Sequence, residues 1–447
     1  MLKSTLITVA TALFMASNAL GQGYPIVRSQ QYGVIVASVG YISPSANNTH
    51  TPLFVELAGS NADAFGDIVA DERTPVLQMD FTYGFNVQTS SLSAINGAVI
   101  ESSSSRLRLQ TGTGATGSAI MTSVLPARYR PGQGVTARFT GLWDTSAANS
   151  KQFIGMGDNG DGYFFGYSGT AFGILHKNRG VETFISTTDW NHDKMDGTGP
   201  SGMVWDKTKG NIMQIAYPYL GYGSIKFSIQ EEEHGHMTLV HEIRYTNAHV
   251  NTQLSNPSLK FKAYATNSGN TTNLNSYVGS IGVFITGKRI FLGPQYGVSN
   301  IKTGVTTESN IFAIRNATTY NGIVNTGVLR LRSLSFANDN ATAIGQMRII
   351  KGATIGGSPV FAPISGTTAD NGVTITGGQS ATSYDIAGTT GTGGYTAFNT
   401  LASRNTSQEI DLTPYNIFLS PGEVAIFAAQ CSAATGFGIS VNWNEDN

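Results

Sequence analysis

The sequence predicts an all-β protein of stacked sandwich or jelly-roll layers, and three observations predict it. Apolar and polar residues alternate with period two in run after run; clusters such as SGNTTN and TGTGG separate the runs; no stretch of about twelve residues carries a helical period. Short strands at close spacing, joined by glycine-rich turns, are the pattern of sandwiches and jelly rolls.

Taken in chain order, SRLRLQ sets Leu107 and Leu109 opposite Arg106 and Arg108, and VTARFTGLW puts Val135, Ala137, Phe139 and Trp143 on one face. GDNGDGYFFGYSGT, residues 157–170, carries Asn159-Gly160 and Asp161-Gly162, dipeptides that accept positive φ in tight turns. It reads as a hairpin tip entering a core strand. A helix-loop-helix calcium loop needs oxygen ligands at alternate positions, whereas Asp158 and Asp161 are three apart and Gly160 occupies the place of the second ligand. In GSIKFSIQ, Ile225, Phe227 and Ile229 oppose Ser224, Lys226 and Ser228; LKFKAYA aligns Leu259, Phe261 and Ala263; GISVNW aligns Ile439, Val441 and Trp443.

Four territories follow. Residues 1–21 place Lys3 before an apolar run from Leu6 to Ala16 and small residues at Ala19 and Gly21, the layout of a signal peptide cleaved near Gly21-Gln22 or, alternatively, an N-terminal arm that is retained. The run is too short for a membrane span, and no other segment could cross a bilayer. Residues 22–70 form an N-terminal β arm or subdomain, 71–292 an aromatic-rich jelly-roll sandwich, and 293–447 a smaller C-terminal β-sandwich. The 447 residues include 53 glycines and only 12% charged side chains, well below the usual fraction of about 25%. A net charge of −1 provides no electrostatic footprint for nucleic acid. Cys431 is the single cysteine, which excludes an intrachain disulfide and reads as a small buried hydrophobe.

Motifs that carry chemistry are incomplete. GTGATG, with Gly112, Gly114 and Gly117, spells the dinucleotide fingerprint but precedes SAIMTSVLP, whose β-branched residues and Pro126 do not open a helix. GVFITGKR ends in Arg289 where a phosphate loop needs Ser or Thr. EEEHGHMTLVHEIRY offers His234, His236 and His241, yet His241-Glu242 is not followed by the second histidine of a zincin. Alternation instead places Met237, Leu239, His241, Ile243 and Tyr245 on one strand face, with Glu231–Glu233 at a solvated hairpin tip. GYSGT lacks the closing glycine of a nucleophile elbow, and no strand carries the acids of a jelly-roll glucanase as E-x-D-x-E. The expectation is no cofactor, no metal and no catalytic residue. Asp189, Trp190, His192, Asp193 and Asp196, in TTDWNHDKMDGTGPSG, form a candidate glycan-binding loop, since an indole among carboxylates can stack on and hydrogen-bond a sugar, or else a structural loop anchored by Trp190. Asn47, Asn270, Asn316, Asn340 and Asn405 are candidate N-glycosylation sites.

The ordered stretches ARYRPGQGVTARFT, FIGMGDNGDGYFFGYSGTAFGILHKN, DGTGPSGMVWDKTKGN, YLGYGSIKFSI and VHEIRYTNAH resemble a family of virion structural proteins, capsid-associated or fibre-like, of large double-stranded DNA viruses and tailed phages. The resemblance covers about residues 70–290, with an echo in DLTPYNIFLSPGEVAIFAA and GISVNWNED. It implies a lectin-like, concanavalin-type jelly roll for the central region, a place on the virion surface, and no catalytic residues. The N-terminal segment departs from this pattern, because phage structural proteins normally have no secretory signal. The expected function is a non-enzymatic virion surface protein, a fibre, spike or capsid-decorating component that attaches to host glycans. Its expected partners are copies of itself, with a trimer implied by the likeness to viral fibres, and other virion proteins. A secreted lectin or adhesin and a polysaccharide-degrading enzyme are the alternatives.

Overall fold

The computed structural model describes residues 26–28, 35–38, 73–233, 235–288, 293–320, 322–364 and 380–446. The segment 1–21, nearly all of the 22–70 arm, Asn47, His234 and Arg289 lie outside the described residues; from the arm, Ile26–Arg28 and Ile35–Ser38 pair antiparallel.

The protein is all-β, as the alternation predicts. One sheet of the central sandwich runs, in spatial order, Val181–Ser186, Ala171–Asn178, Gly162–Ser168, Ser150–Gly157, Leu259–Asn267, Ser118–Ala127 and Ser90–Ile95. The facing sheet runs Met237–Ile243, Ile225–Gln230, Asn211–Tyr217, Val135–Trp143, Asn275–Val278, Arg106–Gln110 and Val99–Ser103, with Ser280–Thr286 and Arg73–Asp80 branching from Val135–Trp143. Period-two strands send alternate side chains between the sheets. Met121, Ile154, Phe165, Ile174 and Ala263 thus meet Leu109, Ala137, Phe139, Met213, Ile215 and Phe227 in one core. Phe139 packs edge-on against Phe261 at 5.4 Å, and Phe165 against Phe227 at 5.4 Å. Each such buried ring contributes about 2–3 kcal/mol of transfer free energy.

The first sheet is buried on its outer face as well. Phe153, Phe164, Leu175 and Tyr264 form a second cluster there. Glycines make room for it: a Cβ on Gly157 would stand 2.4 Å from Cζ of Phe164, so the ring lies flat on bare backbone. Lys151 and Lys177 reach over the plate to Glu182, at 2.5 and 3.3 Å.

The His241 row departs from simple alternation. Phe227 pairs with His241 but Ser228 pairs with Leu239, so a bulge at Val240 shifts the phase by one residue. His241 is buried as expected and shares the inner face with Ile243 and Tyr245, while Met237 and Leu239 turn to the opposite face.

The C-terminal sandwich packs Gln295–Val305, Thr435–Asp446, Val328–Asn338 and Thr406–Asp411 against a sheet built of Thr382–Asp385, Ser309–Asn316, Val424–Cys431, Gly345–Lys351 and Tyr395–Ala402. Phe312 stacks on Phe427 at 4.6 Å, and Trp443, Met347 and Cys431 complete its core. Arg130 joins the sandwiches through Asp446, at 2.7 Å.

The 157–170 stretch is a hairpin tip whose strands pair from Gly157 and Gly162 onward. Asp158 Oδ1 accepts the Gly160 and Asp161 amides at 2.7 and 2.8 Å. Asp161, only 1% exposed, accepts the Arg179 amide at 2.9 Å, the Ser255 amide at 3.1 Å, the Asn256 amide at 2.9 Å and the Ser255 hydroxyl. The Asp161 oxygens are thus committed to protein donors rather than to a cation. Replacing Asp161 by Ala strands those donors, and we expect a loss of about 2–5 kcal/mol in urea unfolding. Chelator is expected to leave the wild-type melting temperature unchanged; a drop of several degrees contradicts the assignment.

Candidate functional site

The site grows from the edge hairpin of the second sheet. Lys226 and Glu242 stand directly opposite each other across its ladder, on the face turned away from the core. The chain entering this hairpin, residues 218–224, folds back on itself through the Gly223 amide and the Tyr219 carbonyl, at 3.0 Å. Together with Thr246 these elements border an open cavity of about 350 Å³ lined by Pro218, Leu220, Tyr222, Ser224, Lys226 and Glu242. Its size is that of a small-ligand cleft.

The wall is tied down on every side. The Tyr222 hydroxyl donates to the Val250 carbonyl at 2.6 Å, the Thr246 hydroxyl to the Tyr222 carbonyl at 2.9 Å, and the Leu220 amide to the Tyr129 hydroxyl at 3.2 Å. Tyr222 keeps 38% of its surface exposed. Arg244 Nε donates to Glu242 at 2.8 Å, and His192 Nε2 stands 3.7 Å from the same oxygen. Burial pushes the Glu242 carboxyl up, but hydrogen bonds from Arg244 and Ser224 and the charges of Arg244 and Lys226 outweigh it and hold the group below the usual carboxylate range. The cavity therefore presents a fixed anion, a cation and a hydroxyl beside an exposed aromatic ring.

The 189–196 loop flanks this cavity. Asn191 brackets the backbone of Glu242, accepting its amide at 2.9 Å and donating to its carbonyl at 2.8 Å. Two members of the predicted glycan-binding set are corrected by their placement. Trp190 is buried edge-on against Phe165 and beside Trp205, so its faces cannot stack on a sugar. Asp193 is buried and accepts the Met195 and Ser201 amides, both at 2.8 Å. His192 reaches Glu242, while Asp189 and Asp196 stay exposed, Asp196 accepting the Thr198 hydroxyl at 2.6 Å.

Asn316 is corrected as a glycosylation candidate: it is buried, and its amide donates to the Gly327 and Leu419 carbonyls at 2.9 and 3.0 Å. Asn270 and Asn340 spend their amides on loop carbonyls, whereas Asn405 lies exposed at φ 44°.

A second depression, about 530 Å³, lies on the outer face of the C-terminal sandwich, lined by Gln295, Arg332, Ser333, Glu409, Asp411 and Thr413. Glu409 and Asp411 alternate onto one face of their strand. Reading for a three-acid strand passed over this pair in EIDLT, where Thr413 occupies the third place. Among the described residues no group of three or more His, Cys, Asp or Glu side chains is placed to hold a metal.

No family model and no curated protein matches the chain by sequence. Among solved structures, the cellulose induced protein Cip1 aligns at TM-score 0.31 and 14% identity over 46% of this chain and 96% of its own. A beta-1,3-glucanase from Mycobacterium marinum aligns at 0.33 and 10% over 47% and 98%. The carbohydrate recognition domain of Emp46p aligns at 0.30 and 7% over 46% and 94%. Likeness at this level assigns the chain no activity.

His241 Nδ1 accepts the Asn191 amide at 3.2 Å. Burial, reinforced by His192, lowers its pKa from 6.5 to about 4. The unfolded chain therefore binds a proton that the folded one refuses, and stability is full above pH 6.5 and falls as pH drops towards 4. We expect a loss on the order of 2 kcal/mol over that window in urea titrations. His241→Gln, which keeps an acceptor for Asn191, should flatten the slope; an unchanged slope contradicts the assignment.

Proposed function

We propose that the protein is a non-enzymatic structural protein of a virion surface, a fibre, spike or capsid-decorating component, which assembles with copies of itself and attaches to host glycans through the Tyr222–Glu242 cavity. The observation that carries the glycan reading is the cavity's mixed wall. A sugar ring offers an apolar C–H face and a rim of hydroxyls, and the cavity offers Tyr222 and Leu220 for the first and Glu242, Lys226 and Ser224 for the second. Glu242 is the one carboxylate in that wall, and its neighbours hold it anionic. It is suited to accept hydroxyl protons in hydrogen bonds, whereas glycoside hydrolysis needs two acids. The virion placement is supported by the ordered stretches between residues 70 and 290 that resemble capsid-associated proteins.

A second reading, saccharide hydrolysis, is favoured by the Glu409 and Asp411 pair facing one groove. The Thr413 hydroxyl and amide hold Asp411 below the usual carboxylate range, which keeps it ionised as a carboxylate nucleophile must be. Release of reducing ends from a polysaccharide panel, lost in both Glu409→Gln and Asp411→Asn, establishes this reading, and no release removes it.

Immobilised-glycan binding by the full chain tests the leading proposal. Glu242→Gln and Tyr222→Ala are each expected to weaken binding at least tenfold, equivalent to about 1.4 kcal/mol. Binding that survives both substitutions contradicts the site. Mass spectrometry of purified particles separates a virion protein from a secreted lectin or adhesin.

A further inference from the structure

Four of the exposed large apolar residues of the central sandwich gather along one side of it. Tyr83 is 100% exposed, Val87 78%, Ile95 54% and Val99 43%. Ile95 ends Ser90–Ile95, the terminal strand of the first sheet, and Val99 opens Val99–Ser103, a terminal strand of the second; a tight turn closed by the Ala98 amide on the Ile95 carbonyl joins them. The loop carrying Tyr83 and Val87 is fastened to the same side. The Ser102 hydroxyl donates to the Phe81 carbonyl at 2.9 Å, and the Ser90 amide to the Asn86 carbonyl at 2.9 Å.

A sheet edge exposes one side of its backbone hydrogen-bonding groups and adds a strand readily unless charge, proline or a covering element prevents it. The other edges of the central sandwich carry such guards, and Tyr395–Ala402 in the C-terminal sandwich, which also lacks charge and proline, has the Gln408 side chain donating to its Leu401 carbonyl at 3.0 Å. Arg73–Asp80 has Pro75, Val181–Ser186 has Glu182 in its ion pairs, and Met237–Ile243 has Glu242 beside Arg244. Val99–Ser103 has Glu101, paired to Arg108. Ser90–Ile95, SSLSAI, has neither charge nor proline. Antiparallel pairing of this strand with its own copy brings no like charges together, and a two-fold axis perpendicular to the sheet keeps Leu92 on the core side of both copies.

We propose that the Ser90–Ile95 edge, with Tyr83, Val87 and Val99 beside it, is the surface through which two copies of this chain associate about a two-fold axis. This rests on the reading that the protein self-associates, and names where. Pairing extends the first sheet across both subunits and covers the apolar side chains that the isolated chain leaves in water.

Light scattering of the full chain at micromolar concentration is the test, with Ile95→Lys/Val99→Lys as the interface variant and Val181→Lys, at the opposite edge, as the control. The wild type and Val181→Lys are expected to run as dimers, and the double variant as a monomer with the wild-type circular dichroism. Concentration-dependent hydrogen-exchange protection of residues 90–95 in the wild type tests the same surface without any substitution. A monomeric wild type overturns self-association and this surface together. A trimer, a dimer insensitive to the double substitution, or unchanged exchange at 90–95 on dilution overturns the surface and leaves self-association standing. None of these outcomes bears on glycan binding at Glu242, which is read separately.

Discussion

The Asp161 carboxylate is the interaction on which the central sandwich depends. One buried side chain at a hairpin tip binds the turn at Arg179 and the segment at Ser255 and Asn256, which feeds the strand Leu259–Asn267. Those three segments border five neighbouring strands of the first sheet. A buried carboxylate is tolerable only when its lone pairs are met, and here backbone amides and one hydroxyl meet them. The arrangement couples the tip to sequence far away, because none of those partners is local.

The same segment carries the coupling to the cavity. Gln253 donates its amide to the Gly221 carbonyl at 2.9 Å, and its side chain to the Tyr219 carbonyl at 3.1 Å; Tyr219 returns a bond to the Leu254 carbonyl at 2.9 Å. Tyr163 and His176, stacked at 5.3 Å, both hold Gln253 from within the core. The 218–224 wall is thereby braced by residues 246–256, which Asp161 in turn anchors. A site on loops gains precision when rigid elements fix its supports, and here the fixing runs from a buried hairpin tip to a surface ring.

Much of the fold was legible. The Asn-Gly and Asp-Gly dipeptides mark the hairpin, and the Leu107/Leu109 and Phe227/Ile229 rows give the inner faces, because turn chemistry and alternation are local properties. The role of Asp161 was not legible, since its Ser255 and Asn256 partners arrive from another connection. The bulge at Val240 was also hidden: His241 was correctly placed inside, but a one-residue phase shift moved Met237 and Leu239 to the other face. Trp190 was found with two readings, a sugar platform or the anchor of a structural loop, and its burial fits the anchor; composition shows an aromatic in a loop without showing which way it turns. Tyr222, Lys226 and Glu242 were passed over, because counting outward from the acidic hairpin tip pairs Lys226 with His241, and only the bulge at Val240 brings it beside Glu242.

Asp161 organises the cavity at a distance, and hydrogen exchange in Asp161→Asn reads that coupling residue by residue. Protection is expected to fall together at Arg179, at Ser255 and Asn256, and at residues 220–224, while Phe139 and Met213 in the opposite sheet keep theirs. Loss confined to the hairpin tip, with 220–224 unchanged, would contradict it.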